Sequence, residues 1–210
     1  MPDFLGEAEG SKGGKIALRN RVLAERNSRT AADRLSAAVS VQAVLLSAVR
    51  AQRPSTMAGY APVGAEPGGA DLPDALLSAL PTGGRLLLPV LLEDGDLDWA
   101  AHSGTLRHGP RGLLEPAGPR LGVFAIRAAT MVVVPALAVS RTGIRLGRGG
   151  GSYDRALSRL VPAAGTWTVA LLYDGELVDE VPAEAHDHAV GAVITPTDGL
   201  TLAREAEWTN

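Results

Sequence analysis

The run Met131-Val-Val-Val134, stopped by Pro135, contains no polar side chain. A strand with one wet face alternates apolar and polar residues, so an unbroken apolar run predicts a strand covered on both faces. Arg85-Leu-Leu-Leu-Pro-Val90 has the same character, and residues 56–60, 168–172 and 190–195 are further short strand candidates. Helical segments lie between them: residues 15 to about 26, and a second opening at Thr30 with Asp33 as its capping partner. A third spans residues 73–80 with Pro73 in its first turn, and a fourth spans 153–161. Apolar strands alternating with helices predict an α/β fold, a single domain with a mainly parallel open sheet and helices on both faces, Rossmann-like in three layers. Residues 1–14 read as a disordered leader, 15–200 as the domain and 201–210 as a C-terminal tail. Residues 93–120 show no clean period and read as a long excursion.

Composition narrows the function classes. Among 210 residues, 46% are hydrophobic and 20% charged, which is globular composition. There is no cysteine, which excludes disulfides, thiolate zinc sites and cysteine nucleophiles. A net charge of −3 carries no basic footprint for nucleic acid, so no nucleic-acid partner is expected. The uncharged stretch from residue 35 to 49 is too short to span a bilayer and includes Ser36, Ser40, Gln42 and Ser47. Leu35, Val39, Gln42, Leu46 and Val49 fall near one helical face and predict a buried core helix rather than a membrane segment. With no basic, apolar signal at the N-terminus, the expected compartment is the cytoplasm.

The sharpest motif is Arg145-Leu-Gly-Arg-Gly-Gly-Gly-Ser-Tyr-Asp154. Successive glycines let backbone N–H groups converge on an anion, and a following helix start adds partial positive charge. Arg145 and Arg148 flank this nest with guanidinium groups suited to phosphate oxygens. Asp154 is placed to hold a hard cation against those phosphates. Walker A would need a lysine here, and the dinucleotide fingerprint would need Gly where Ser152 stands. The bland alternative is a flexible loop with Ser152 or Asp154 capping the helix. Lys12 and Lys15 are the only lysines, and Lys15 lies one helical turn from Arg19, so both can face one ligand. In His186-Asp-His188 the alternation aims the two rings apart and no third ligand is near, which argues against zinc. His102 and His108, in the irregular stretch, are expected at the surface.

The glycine segment resembles the signature of the 5-formyltetrahydrofolate cyclo-ligases, also called methenyltetrahydrofolate synthetases, which runs roughly Arg-Leu-Gly-x-Gly-x-Gly-Tyr-Tyr-Asp. The family's lead-in Pro-x-Leu-Ala appears as Pro135-Ala-Leu-Ala138, and its Lys-x-x-Leu-Arg element as Lys15-Ile-Ala-Leu-Arg19. Glu66 follows Tyr60-Ala-Pro-Val63 where the family carries a folate-site Glu. Leu87-Leu-Pro89, Leu97-Asp-Trp99, Glu115-Pro116, Val181-Pro182, His186-Asp187 and Val193-Ile-Thr195 match weaker landmarks in order, so the resemblance covers residues 15–197. The chain departs from the pattern at Ala136 (often Gly), Val139 (Phe) and Ser140 (Asp). It also departs at Ser152, where the first Tyr of the pair stands, and after Glu66, where a Thr often follows.

The resemblance implies ATP- and Mg²⁺-dependent closure of 5-formyltetrahydrofolate to 5,10-methenyltetrahydrofolate through phosphorylation of the formyl oxygen, releasing ADP and phosphate. Carried onto this sequence, it implies ATP contacts from Lys15, Arg19 and the segment Arg145, Leu146, Gly147, Arg148, Gly149, Gly150, Gly151, Ser152 and Tyr153, with Lys15, Arg145 and Arg148 catalytic. Ala61, Glu66, Trp99 and Tyr153 would bind the folate, and Asp154 and Asp187 would hold Mg²⁺. The implied partners are small molecules alone, reduced folate and ATP, with no membrane and a monomeric chain. Two rivals remain open here, a non-catalytic folate- or nucleotide-binding homologue and a sugar-phosphate isomerase or transferase of similar fold.

Overall fold

The computed structural model describes residues 4–160, 165–184 and 187–203, with side chains from residue 13 onward. Helix α1 runs Phe4–Ser28 and α2 Ala31–Gln52. Strand β1 (Thr56–Ala58), helix α3 (Leu72–Ala79) and strand β2 (Arg85–Leu91) follow. Next come β3 (Leu97–Ala101), β4 (Leu106–His108), β5 (Leu114–Pro116), β6 (Met131–Pro135), β7 (Ala138–Ser140) and β8 (Arg145–Leu146). Helix α4 (Ser152–Leu157) precedes β9 (Trp167–Leu171), β10 (Leu177–Val178), β11 (Ala192–Thr195) and β12 (Gly199–Leu202).

Seven strands form the main sheet in the order β12-β11-β9-β6-β1-β2-β3. The β11–β9, β9–β6, β6–β1 and β1–β2 pairs are parallel, while β3 and β12 close the edges antiparallel. The strand period of two explains how an all-apolar run is used: Met131 and Val133 join one core with α2 and α3, while Val132 and Val134 join the opposite core with Ile126, Ala156 and Leu157. The expected mainly parallel sheet with helices on both faces is therefore present, though α4 is short. Helix α1 sits elsewhere. Its Val22 packs with Leu137, Ala138, Leu146 and Val181 over a second sheet, ordered β10-β7-β8.

Local signals hold where chemistry is local. Thr30 accepts from the Asp33 N–H at 3.1 Å and Asp33 accepts from the Thr30 N–H at 3.3 Å, the reciprocal cap expected of this pair. Pro73 lies in the first turn of α3.

Several expectations need correcting. Residues 4–14 are helical rather than a disordered leader; residues 1–3 and 204–210, and with them most of the tail, lie outside the described residues. Glu7, Ala8 and Glu9 are good helix formers, and extending a helix already anchored by Val22 costs little. The buried stripe of α2 is Ala37, Ala38, Val41, Leu45 and Val49, whereas Leu35 and Val39 are 67% and 63% exposed. A helix apolar nearly all round carries no unambiguous stripe, so docking chose the face. Helix α2 is long and apolar enough to cross a membrane, but its buried stripe faces the sheet core. The excursion at 93–120 is structured, as the edge strand β3 and the β4–β5 ribbon. Helix α4 ends at Leu157, and residues 161–164 are outside the described set. His102 is buried, its Nε2 2.7 Å from Asp74 Oδ1, because β3 carries it under the N-terminal turn of α3; His108 is exposed as expected.

One buried pair ties α1 to the rest. Arg26 donates to both carboxylate oxygens of Glu176 and to the Ala136 carbonyl, each at 2.7 Å, with both side chains nearly inaccessible. Desolvation works against the Arg26 charge, but the Glu176 hydrogen bonds and charge outweigh it and raise its pKa. Glu176→Ala leaves that guanidinium buried and uncompensated and is expected to destabilise the fold by about 3–5 kcal/mol, read as a fall in urea midpoint. A loss below about 1 kcal/mol would show that water replaces Glu176.

Candidate active site

The sheet order places the site. After β1 the chain moves to β2 on one side, whereas after β6 it moves to β9 and β11 on the other. Connections leaving neighbouring parallel strands in opposite directions open a crevice at their carboxyl ends. A cleft of about 420 Å³ lies there, lined by Tyr60 and Ala61 beyond β1 and by Pro135, Ala136 and Leu137 at the end of β6.

The glycine segment forms one wall. Among the described residues, no backbone N–H from Gly147 to Ser152 donates to a protein acceptor, and these residues line the cleft, which leaves their donors open to a ligand. Gly149 and Gly151 adopt φ of 97° and 67°, left-handed values that a side chain would strain. With only six residues, α4 adds little dipole; the free N–H groups carry the anion preference.

Arg145 and Arg148 separate in role. Arg145 is buried, donating from Nη2 to Asp154 Oδ1 at 2.6 Å and from Nη1 to the Pro135 carbonyl at 3.3 Å. A Cβ at Gly147 would come within 2.8 Å of Arg145 Nη1, so this guanidinium props the loop from beneath. Arg148 is exposed, its Nε 3.3 Å from Glu66 Oε1. That pair joins the glycine loop to the segment after β1.

Helix α1 supplies the facing cations. Lys15 Nζ lies 2.9 Å from Asp187 Oδ2 and 3.2 Å from Glu184 Oε2, with its side chain 10% exposed. Arg19 Nε donates to the Gly147 carbonyl at 2.9 Å, and its guanidinium rests against Gly149. The turn of helix separating Lys15 from Arg19 thus lets one bind acids and the other brace the loop. Glu184 had no signal in the sequence beyond its closeness to Asp187. His186 lies outside the described residues.

Glu66, Ala61 and Tyr153 line the cleft. Glu66 Oε2 accepts from the Val63 N–H at 3.0 Å, which fixes its carboxylate. The Tyr153 hydroxyl is buried without a partner, and burial, then the Glu66 charge, pushes its pKa well up. It remains a neutral phenol with a donor to offer. Trp99 requires correction: it is fully buried among Leu91, Leu97 and Ile126, does not line the cleft, and packs rather than stacking on a ligand. Its register opposite Pro89 turns the indole into the core, a choice that sequence spacing does not reveal.

Ser152 has an unexpected partner. Its Oγ donates to the Gly95 carbonyl at 2.5 Å, and Arg155 Nη2 donates to the same oxygen at 2.6 Å. Arg159 holds Asp96 through both carboxylate oxygens, with one contact at 2.9 Å. The tip of the β2–β3 hairpin is thereby latched to the start of α4, just after the glycine loop. Among the described residues no three Asp, Glu or His side chains cluster, so a cation here would rely on one or two carboxylates plus ligand oxygens. Mg²⁺ is commonly held in that way, and Asp154 and Asp187, both lining the cleft, fit it.

The model of the 5-formyltetrahydrofolate cyclo-ligase family matches residues 11–196. A 5-formyltetrahydrofolate cyclo-ligase of Mycolicibacterium smegmatis is 44% identical over 155 residues, 71% of this chain and 77% of that protein. The Escherichia coli K12 protein of the same name is 35% identical over 83 residues, 40% of this chain and 45% of that protein. Among solved structures, the Aquifex aeolicus 5,10-methenyltetrahydrofolate synthetase superposes with a TM-score of 0.75 at 24% identity, covering 93% of this chain and 96% of that one. A Mycoplasma pneumoniae 5,10-methenyltetrahydrofolate synthetase gives 0.66 at 18% identity, over 85% and 96%. At those identities the structures speak for the fold.

The latch predicts a pH effect. Burial pushes the Asp96 carboxyl up, but its bonds to Arg159 and the Leu97 N–H and the Arg159 and Arg155 charges hold it below the usual range. A depressed carboxyl stabilises the fold fully above its unfolded pKa, about 3.9, and that contribution is lost as pH falls through the lower folded value. The urea midpoints of the chain and of Asp96→Asn should therefore differ steadily above about pH 5 and converge below about pH 4. A gap that stays constant down to about pH 3 would exclude the latch charge as its source.

Proposed function

The chain belongs to the 5-formyltetrahydrofolate cyclo-ligase family and is an enzyme of the ligase class; from that premise we propose that its cleft closes 5-formyltetrahydrofolate to 5,10-methenyltetrahydrofolate with ATP and Mg²⁺. The observation that carries the reading is the convergence of Lys15, the open N–H row of the glycine loop and Glu66 in one cleft at the sheet's switch point. Family membership speaks against the sugar-phosphate isomerase or transferase, and the catalytic names of the relatives favour an enzyme over a non-catalytic homologue.

A formyl amide is a weak electrophile, and ring closure must expel its oxygen. That oxygen attacks the γ-phosphorus of ATP and ADP leaves; N10 then adds to the activated carbon, loses its proton, and phosphate departs with the formyl oxygen. The protein's share is positioning and charge stabilisation, with no covalent nucleophile needed. The glycine-loop N–H groups receive phosphate oxygens, and Lys15 turns from Asp187 toward the charge that develops in transfer. Arg148 leaves Glu66 as substrates enter, which frees the carboxylate to accept donors from the pterin's aminopyrimidine edge. Arg145 holds the loop and Asp154 in place, and Arg19 braces the loop from α1. Asp154 and Asp187 would hold Mg²⁺, which when bound screens the phosphate charges. The Tyr153 hydroxyl donates to whichever ligand covers it. We place this reaction in the cytoplasm, catalysed by a monomer whose partners are small molecules alone.

The deciding measurement is absorbance of the methenyl product, expected only with both 5-formyltetrahydrofolate and ATP present. No product with both present overturns the proposal. Lys15→Ala is expected to lower kcat about a hundredfold, the scale of losing one preorganised donor to developing charge. Unchanged ATP dependence in that variant removes Lys15 from the mechanism. Tyr153→Phe should raise the KM of one substrate severalfold, since that ligand then loses the donor the buried hydroxyl offers it; unchanged KM values for both substrates would assign the phenol to packing.

A further inference from the structure

The β4–β5 ribbon, the former excursion, reaches the cleft at its tip through Arg111. We propose that Arg111 binds the carboxylates of the folate's glutamate tail, an inference that rests on the folate reading of the cleft. Three observations lead there. The first concerns charge: Lys15, Arg19, Arg26, Arg145 and Arg148 all line the cleft and all have protein partners. Arg111 lines the same cleft, is exposed, and makes no hydrogen bond or ion pair with any described residue. Among the described residues it is the cleft cation that neither a carboxylate nor a carbonyl already holds.

The second observation is how firmly the tip is held. Arg111 sits at φ 56°, ψ 24°, a left-handed conformation that a non-glycine residue adopts only at an energetic cost. The turn is closed by the Gly109 N–H to the Leu113 carbonyl at 2.8 Å and the Leu113 N–H to the Pro110 carbonyl at 3.1 Å. Beneath it, buried Glu115 accepts from the Leu91 N–H at 2.9 Å, and a Cβ at Gly109 would fall 2.5 Å from Glu115 Cδ. The ribbon is therefore pinned to the end of β2, and the strained residue is presented at a fixed place on the rim.

The third is the chemistry of the wall that the ribbon shares. Pro89, Leu91, Leu97, Leu113 and Leu114 make an apolar stretch with no charge of its own. A reduced folate is a polar bicycle joined through an aminobenzoyl ring to a glutamate with two carboxylates. With the bicycle at Glu66 and the formyl oxygen toward the glycine loop, the benzoyl ring suits the apolar wall and the carboxylates follow it outward. A guanidinium fork matches a carboxylate in two parallel hydrogen bonds. Because Arg111 is exposed, further γ-linked glutamates would extend into solvent without obstruction.

The test compares 5-formyltetrahydrofolate with 5-formyltetrahydropteroate, the same molecule ending at the benzoyl carboxyl. Arg111→Asn is the variant of choice because Asn tolerates the left-handed backbone; Arg111→Lys keeps the charge. In Arg111→Asn the KM for the tail-bearing substrate should rise roughly threefold to tenfold, the scale of a partly exposed charge pair, with the rise confined to that substrate. Arg111→Lys should recover part of it. Salt should raise that KM in the parent chain more than in Arg111→Asn. An equal rise for both substrates, a rise in the KM for ATP instead, or no change overturns the proposal. If the parent chain turns over neither substrate, the cyclo-ligase reading fails on its own. Calorimetric affinities for the two folates then decide Arg111 separately: a tail preference that Arg111→Asn abolishes supports it, and any other result overturns it.

Discussion

Arg26 places a guanidinium beyond the reach of water, and the geometry of the site follows from where its hydrogen bonds go. Its partners are Glu176, just ahead of β10, and the carbonyl of Ala136, one residue past the end of β6. A buried charge with two fixed acceptors tolerates little displacement, so α1 is held against the carboxyl end of the main sheet. Two turns back along that helix stands Arg19, on the glycine loop, and one turn further Lys15, on Asp187, both lining the cleft. Remote packing thus decides whether the cations of α1 face the cleft.

Several of the cleft's cations rest on carboxylates. Lys15 rests on Asp187 and Glu184, Arg145 on Asp154, and Arg148 on Glu66. A bare cation in a partly buried cleft would carry a desolvation cost, which a neighbouring carboxylate offsets. Only some of these pairs can be exchanged for a ligand. Arg145–Asp154 is largely buried and supports the backbone, whereas Arg148 is exposed and reaches Glu66 across the opening. The β2–β3 hairpin joins this arrangement through Gly95 and Asp96, so the start of α4 is braced from a strand far away in sequence.

Much of this was readable from local patterns. The all-apolar strands, the Thr30–Asp33 cap, the first-turn Pro73 and the glycine loop all depend on residues near one another in the chain, where spacing and conformational preference act directly. What went astray depended on partners distant in sequence. The apolar face of α2 was ambiguous because Leu35 and Val39 are as apolar as the residues that docked. Trp99 could equally have faced a ligand until pairing with β2 turned it inward. Ser152 looked like a loop or capping residue because its acceptor, Gly95, lies 57 positions earlier. The β4–β5 ribbon had no period to detect, since three-residue strands are too short to show one.

The sequence by itself determined the sheet's parallel character, the glycine loop and the family, because these rest on side-chain alternation, glycine's conformational range and a contiguous motif. Tertiary structure alone decided which cations are committed and which is available. It sends Arg145 and Arg26 inward to buried acceptors and leaves Arg111 at the rim. The physical reason is that an arginine's role is set by the distance to acceptors brought from elsewhere in the chain, and eighteen arginines look alike until the fold assigns them.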